Sequence, residues 1–223
     1  MFSAASPSFR DRTDAGRQLG RHLASRLSGP SVVLGIPRGG VIVALPVAES
    51  LDAPLDIIVP RKVGAPGEPE LAVGAVALAG GEEIALFDEP SLRRLEILQD
   101  YLQAEVARQK QEIERRLLAY RGDRPATPLA GQTVVIVDDG IATGLTARAA
   151  AAAIARQGPR DVVVAAPVAP LEIRADFDRA GVRLEVLATP SLFMAVGQFY
   201  EDFHAVDDEE VRAALRAGPR VRL

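Results

Sequence analysis

The sequence predicts an α/β fold built on a mostly parallel sheet, and three observations predict it. Short, fully apolar runs alternate with helical patterns along the 223 residues, the order that parallel strands with crossover helices require. Apolar residues make up 48% of the chain and charged residues 25%, ordinary values that exclude a disordered, collagen-like or disulfide-stapled chain. The length fits one generous domain spanning 1–223 and leaves no room for two independent enzymes.

Each element has its own signal. Leu19, Leu23 and Leu27 recur at i, i+4 and i+8, with Asp11, Thr13 or Asp14 as caps and Gly29-Pro30 as a stop, so a helix is predicted over 11–28. Residues 31–36 (SVVLGI) read as a buried strand, followed by the loop Pro37-Arg38-Gly39-Gly40, where two glycines permit close backbone approach. A helix is expected over 41–51, kinked or delayed by Pro46, then a strand over 55–59 that ends at Pro60 and puts Arg61 and Lys62 at its C-terminal end. Residues 63–81, rich in Gly, Pro and Ala, read as a mobile loop running into a hairpin around Ala79-Gly80-Gly81. From 91 to 120, Leu95, Leu98, Leu102, Val106, Ile113 and Leu117 keep helical spacing on a charged background: one long amphipathic helix or two in series, read as a cap or dimer element. After a connector over 121–130 come a strand (133–137), a helix (144–157), a strand (162–166), a helix (171–180), a strand (183–187) and a last helical cap (207–217). The alanines of 149–153 are ascribed to helix propensity.

Composition narrows the function. Cysteine is absent, so no disulfide, thiol nucleophile or thiolate metal site exists, and a reducing cytoplasm is the expected compartment. The first sixteen residues lack an apolar signal core and no apolar run approaches the ~18 residues of a membrane span, so a soluble protein without a membrane partner is expected. With 26 basic and 30 acidic residues the net charge is −4, which argues against a nucleic-acid partner bound by a broad basic surface. His22 and His204 show no metal-ligand spacing, and no protein metal site is predicted.

The stretch that carries chemistry is 134–146, VVIVDDGIATGLT. A fully apolar strand ends in Asp138 and Asp139, and acids at a strand's C-terminal edge point into the crevice where open α/β sheets bind ligands. There they can accept hydrogen bonds from vicinal hydroxyls. The following residues Gly140, Ile141, Ala142, Thr143, Gly144, Leu145 and Thr146 offer consecutive N–H groups, two hydroxyls and a helix N-terminus, an anion cradle for one phosphate. A diol beside a phosphate means ribose phosphate. A plain loop with capping acids is the bland alternative. A Walker A loop is excluded because G-x-x-x-x-G-K-[ST] does not occur.

This stretch resembles the PRPP-binding signature of type I phosphoribosyltransferases (PRPP, 5-phosphoribosyl 1-pyrophosphate). Gly35-Ile-Pro-Arg-Gly-Gly40 is similar to the family's pyrophosphate loop, Arg61-Lys62 to its second basic pair, and 193–203 (FMAVGQFYEDF) to the hood of purine-type members. The resemblance implies a Rossmann-like core over about 30–190 with a hood over about 190–204 and an extra long helix. It implies that Asp138 and Asp139 hold the ribose hydroxyls, that Gly140 to Thr146 bind the 5′-phosphate, and that Arg38, Gly39, Gly40, Arg61 and Lys62 hold pyrophosphate. It further implies Mg²⁺ bound mainly through PRPP and water, a nucleobase-like acceptor against Phe193, Val196, Phe199, Tyr200 or Asp202, a place in purine salvage or related nucleotide metabolism, and a homodimer. Where 6-oxopurine members carry an acid before Thr-Gly, this chain has Ala142, which weakens a hypoxanthine or guanine specificity. Glu68 and Glu70 are candidate bases in the family's flexible loop. Two other readings stand beside turnover: a PRPP- or nucleotide-sensing regulator of the same fold, and a phosphohydrolase using Asp138 or Asp139 as nucleophile.

Overall fold

In a computed structural model the described residues are 9–220; residues 1–8, part of the segment read for a targeting signal, lie outside them. The chain order is α1 (Arg12–Ala24), β1 (Ser31–Gly35), α2 (Gly39–Ser50), β2 (Leu55–Ile57), β3 (Arg61–Ala65), β4 (Glu68–Ala79), β5 (Glu82–Phe87), α3 (Glu89–Arg94), α4 (Gln99–Arg121), β6 (Thr133–Val137), α5 (Leu145–Ala155), β7 (Asp161–Val168), α6 (Arg174–Arg179), β8 (Arg183–Ala188) and α7 (Asp208–Ala217). Among the described residues no helix is long and apolar enough to cross a membrane.

Five strands form a parallel sheet in the order β2-β1-β6-β7-β8. Both of its faces are covered, which is why its strands are apolar without alternation. Val32, Leu34, Val134, Ile136 and Val164 pack on one side with Ala147, Ala150 and Ile154 of α5, while Val33, Val135, Val137 and Ala165 pack on the other with α1 and α2. β1 and β6 pair from Ser31 opposite Thr133 to Gly35 opposite Val137, so the loops after both strands leave the sheet side by side. The chain winds toward β2 from one of these strands and toward β7 from the other, and such a switch point leaves a crevice at the strands' C-terminal ends.

Residues 63–81 correct the loop expectation. They lie in a three-stranded antiparallel sheet, β3-β4-β5. The hydrophobic effect decides this: Val63, Val73 and Val76 bury against α4 and the main core, and Ala75 and Ala77 against α5. The glycines mark turns rather than a mobile segment, with φ of +76° at Gly67 and of +56° and +84° at Gly80 and Gly81, the last two forming the expected hairpin. Arg61 and Lys62 therefore open β3 instead of ending the preceding strand, which stops at Ile57.

The region 91–120 resolves into two helices in series, broken where Glu96 takes φ +51° and Leu98 is extended. The alanines of α5 have a packing reason beyond propensity: Ala150 and Ala151 meet the parallel sheet while Ala149 and Ala153 meet β4 on the opposite side. α2 starts at Gly39, two residues before the predicted start, and continues through Pro46. Gly16 of α1 makes the close crossing of α1 over α2 possible, since a Cβ there would lie 2.4 Å from both Pro46 Cγ and the Val43 carbonyl oxygen. Gly16→Ala should therefore destabilise the fold by about 1–3 kcal/mol through overpacking, read as a lower urea midpoint at unchanged slope.

Candidate functional site

The loops after β1 and β6 border two adjoining cavities of about 680 and 860 Å³ that share Lys62, Glu70, Asp138 and Thr146. The first is walled by Arg38, Gly39, Arg61 and Asp139 among others, the second by Gly140 to Thr146 and Arg148. One cleft thus brings together the acid pair, the candidate phosphate loop and the basic residues, although Lys62 stands 76 positions before Asp138 in sequence.

Close backbone approach makes this possible. A Cβ on Gly39 would lie 1.9 Å from Asp139 Oδ2, and one on Gly40 would lie 2.7 Å from the Val137 carbonyl oxygen. Only glycines let the first turn of α2 lie directly against the acid loop. The Pro37–Arg38 peptide is cis; at this helix start the Val41 N–H donates to the Arg38 carbonyl at 3.2 Å, and the Gly39 and Gly40 amides before it lack an intrahelical partner. Arg38 is half exposed, 3.8 Å from Asp208, and Lys62 is exposed.

The second helix start is α5. Ile141 anchors the preceding loop, its side chain buried and its N–H donating to the Val168 carbonyl at 3.0 Å. Gly144 then takes φ +72° against the Phe177 ring, with no side chain capping the helix, while Ala142 and Thr143 are exposed. Arg148, in the first turn of α5, also faces this cavity, and its Nε is the one buried side-chain donor among the described residues without a hydrogen-bond partner. Arg148 thus brings a cation and an unpaired N–H donor to the wall of the cavity that the start of α5 borders. Sequence reasoning passed it over because one arginine is inconspicuous in a chain with only two lysines among 26 basic residues.

Arg12 was passed over for the same reason. Its side chain, 7% exposed, donates from Nε to Asp139 Oδ2 at 2.8 Å and from Nη1 to the His204 carbonyl at 2.9 Å, with the guanidinium 3.8 Å above the centre of the Phe203 ring. It fixes one acid and props the hood at once. Among the described residues Asp138 has no such cation in hydrogen-bond contact; its Oδ1 accepts the Asp139 N–H at 2.9 Å. Although part of its surface opens to the cleft, burial first and then the charge of Asp139 raise its pKa well above the ordinary carboxylate range.

The hood residues fall differently from expectation. Phe199 and Tyr200 are buried in a cluster with Phe9, against which Phe193 and Val196 pack, and none of Phe193, Val196, Phe199, Tyr200 and Asp202 is among the residues lining the two cavities. Tyr200 donates to the Asp139 carbonyl at 2.5 Å, and burial followed by the Asp139 charge pushes its pKa up, keeping the phenol a donor. Val196 seats on Gly140. Asp202 accepts the His204 N–H at 3.1 Å. Of the hood rings it is Phe203 that borders the cleft, with Ala205 and Val206; Phe87 borders the second cavity from β5. Aperiodic chain gives no phase from which to choose among the candidate hood positions. Glu70 lines both cavities and Glu68 neither. α4, read as a cap or dimer element, supplies Glu105, Arg108 and Gln109 to the cleft wall.

Residues 12–186 match the family model of the phosphoribosyl transferase domain. The chain is 46% identical over 208 residues to a Mycobacterium tuberculosis (strain H37Rv) protein provisionally named phosphoribosyl transferase Rv0571c, a match that takes in 93% of this chain and 46% of that protein. The chain therefore spans about half the length of the curated relatives it matches. Among solved structures it is similar to TT1426 from Thermus thermophilus, at 46% identity and a TM-score of 0.76 over 93% of this chain and 97% of that one.

The raised pKa of Asp138 has a measurable consequence. The folded state holds this proton to a higher pH than the unfolded chain does, so the stability it contributes is complete below the unfolded value of about 3.9 and is lost as pH rises through the folded one. Asp138→Asn should raise the melting temperature of the ligand-free protein at pH 7, and the gain should shrink as the pH is lowered toward about 4.

Proposed function

The chain belongs to the phosphoribosyl transferase family, and we propose that it transfers the phosphoribosyl group of PRPP, in the presence of Mg²⁺, to a nucleobase-like nitrogen with release of pyrophosphate. The observation that carries this reading is the meeting of two helix N-termini, an acid pair and several cations in one cleft. Such a site offers two separate anion seats with a hydroxyl acceptor between them, and PRPP has a phosphate, a diol and a diphosphate in that relation.

The chemistry assigns roles. Bonding between C1′ and the diphosphate oxygen breaks as the acceptor nitrogen bonds to C1′, so negative charge grows on the departing diphosphate while the ribose becomes oxocarbenium-like. Cations belong on the leaving-group side, where Arg38, Arg61, Lys62 and the Gly39 and Gly40 amides would act. Asp138 and Asp139 would accept from the ribose hydroxyls, with Asp139 already oriented by Arg12. The loop from Gly140 to Thr146, with Arg148, would hold the 5′-phosphate. Phe203, held under the Arg12 guanidinium, would give the acceptor an apolar wall. Mg²⁺ keeps several waters and needs only one or two carboxylates beside substrate phosphates, and the all-oxygen pair Asp138 and Asp139 fits it; bound there, it would neutralise diphosphate charge. A cysteine-free chain suits the reducing cytoplasm, and nucleotide metabolism is the setting this chemistry implies.

Calorimetric titration with PRPP, with and without Mg²⁺, followed by a panel of nucleobases read by pyrophosphate release, tests the proposal. Binding with release on one base supports it; binding with no release on any base favours a sensor of PRPP, and absence of binding by folded protein overturns it. Two variants separate the anion seats. Lys62→Ala should weaken PRPP and pyrophosphate binding by about 10-fold or more, the worth of one charge-assisted hydrogen bond, and leave ribose 5-phosphate binding unchanged. Arg148→Gln should weaken ribose 5-phosphate and PRPP alike and spare pyrophosphate.

A further inference from the structure

α4 carries two buried polar side chains that its helical packing does not need. Glu105 is 8% exposed and Gln109 is 5% exposed. They sit one turn apart, so both project toward β3. Such groups persist in a core only when their hydrogen bonds are made, and here the bonds form a directed chain. Arg108 donates to both Glu105 oxygens at 2.8 and 2.7 Å, and Gln109 Nε2 donates to Glu105 Oε1 at 2.8 Å. The Arg108 hydrogen bonds lead in holding the Glu105 carboxyl below its usual range, so it stays an anionic acceptor. With Nε2 committed as a donor to Glu105, the Gln109 oxygen is turned outward, and it accepts from Arg61 Nε at 2.9 Å. Among the described residues Gln109 is the only hydrogen-bonding partner of the Arg61 side chain, and Arg61 borders the same cavity as Lys62, Arg38 and the acid pair.

We propose that Glu105 and Gln109 are positioning residues that aim Arg61 at the diphosphate of PRPP, which makes the inserted helix α4 part of the leaving-group site. This rests on the transferase reading above. Holding an arginine by Nε leaves the outer edge of its guanidinium, with both amino groups, free to face an anion as a planar fork. A lysine at the same position carries charge but has no Nε–H with which to be oriented. The neutral amide between Arg61 and Glu105 keeps that carboxylate from forming a direct ion pair with Arg61; Glu112 acts on Arg61 through its charge, with Arg116 and Arg108 opposing it.

Three probes test it: pyrophosphate, PRPP and ribose 5-phosphate, each titrated calorimetrically with Mg²⁺. Gln109→Met, which keeps length and helix propensity, should weaken pyrophosphate and PRPP about 10-fold and leave ribose 5-phosphate unchanged. Gln109→Glu keeps an acceptor for Nε but sets a carboxylate directly against Arg61 and beside Glu105, so it should fail to recover the loss, and full recovery would count against the neutral-amide argument. Arg61→Lys tests the bond from its other end without altering α4 and should lose as much as Gln109→Met, with the double variant Arg61→Lys/Gln109→Met no worse than either alone, the non-additivity expected of one shared interaction. Equal weakening of all three ligands, or additive losses, would reduce Gln109 to a structural role and overturn the inference. Unchanged pyrophosphate affinity in both single variants would overturn it while the transferase reading stood. Failure of the parent protein to bind PRPP or pyrophosphate would overturn both.

Discussion

The cleft depends on the pairing of β1 with β6. Because Gly35 lies opposite Val137, the turn that opens α2 and the turn that carries the acids leave the sheet at the same height and must share one space. Side chains in both would collide there. Gly39 and Gly40 remove the collision, and what would be a steric fault becomes a seat where a helix N-terminus meets two carboxylates. One strand register thus sets the place of the proposed anion site, of the acids and of the hood that leans on them.

The charges in this space are balanced by fixed parts rather than by solvent. Two adjacent acids in a partly enclosed crevice repel each other, and the cost falls unequally: Asp139 has Arg12, while Asp138 is left with a raised pKa. Arg12 in turn sits on Phe203 and holds the His204 carbonyl, and Tyr200 holds the Asp139 carbonyl. The first helix, the acid loop and the hood are therefore one hydrogen-bonded unit drawn from distant parts of the sequence. Loss of any one member leaves a buried group unpaired, which costs more than the bond itself contributed.

What could be read in the sequence follows the range of the forces involved. The parallel strands were legible because burial on both faces writes an uninterrupted apolar run, and the acid pair with the loop that follows it because their residues are neighbours in the chain. Local chemistry was visible from Asp138 to Thr146. The antiparallel sheet was not, since its glycines and alanines give weak strand signals and the α5 partners of Ala75 and Ala77 lie some 70 residues away. Arg12, Arg148, Glu105 and Gln109 were hidden for the same reason: each acquires meaning from a neighbour brought up by the fold. In the hood, buried Phe199 and cleft-facing Phe203 could not be told apart from composition.

The alanine face of α5 acts as a gauge. Lys62 stands directly opposite Ala75 in the β3–β4 pairing, and Ala75 lies in the cluster with Ala149 and with Leu145, the first residue of the helix. The distance from the start of α5 to the lysine across the cleft is consequently spanned largely by alanine methyl groups, with Leu145 at the helix end. A larger residue at Ala149 would push β4 outward, and Lys62 with it. The span between the two proposed anion seats is in this way set by the smallest side chains in the molecule, so the length of ligand that would bridge them is written in a stretch of sequence, Ala149 to Ala153, that carries no polar atom beyond the backbone.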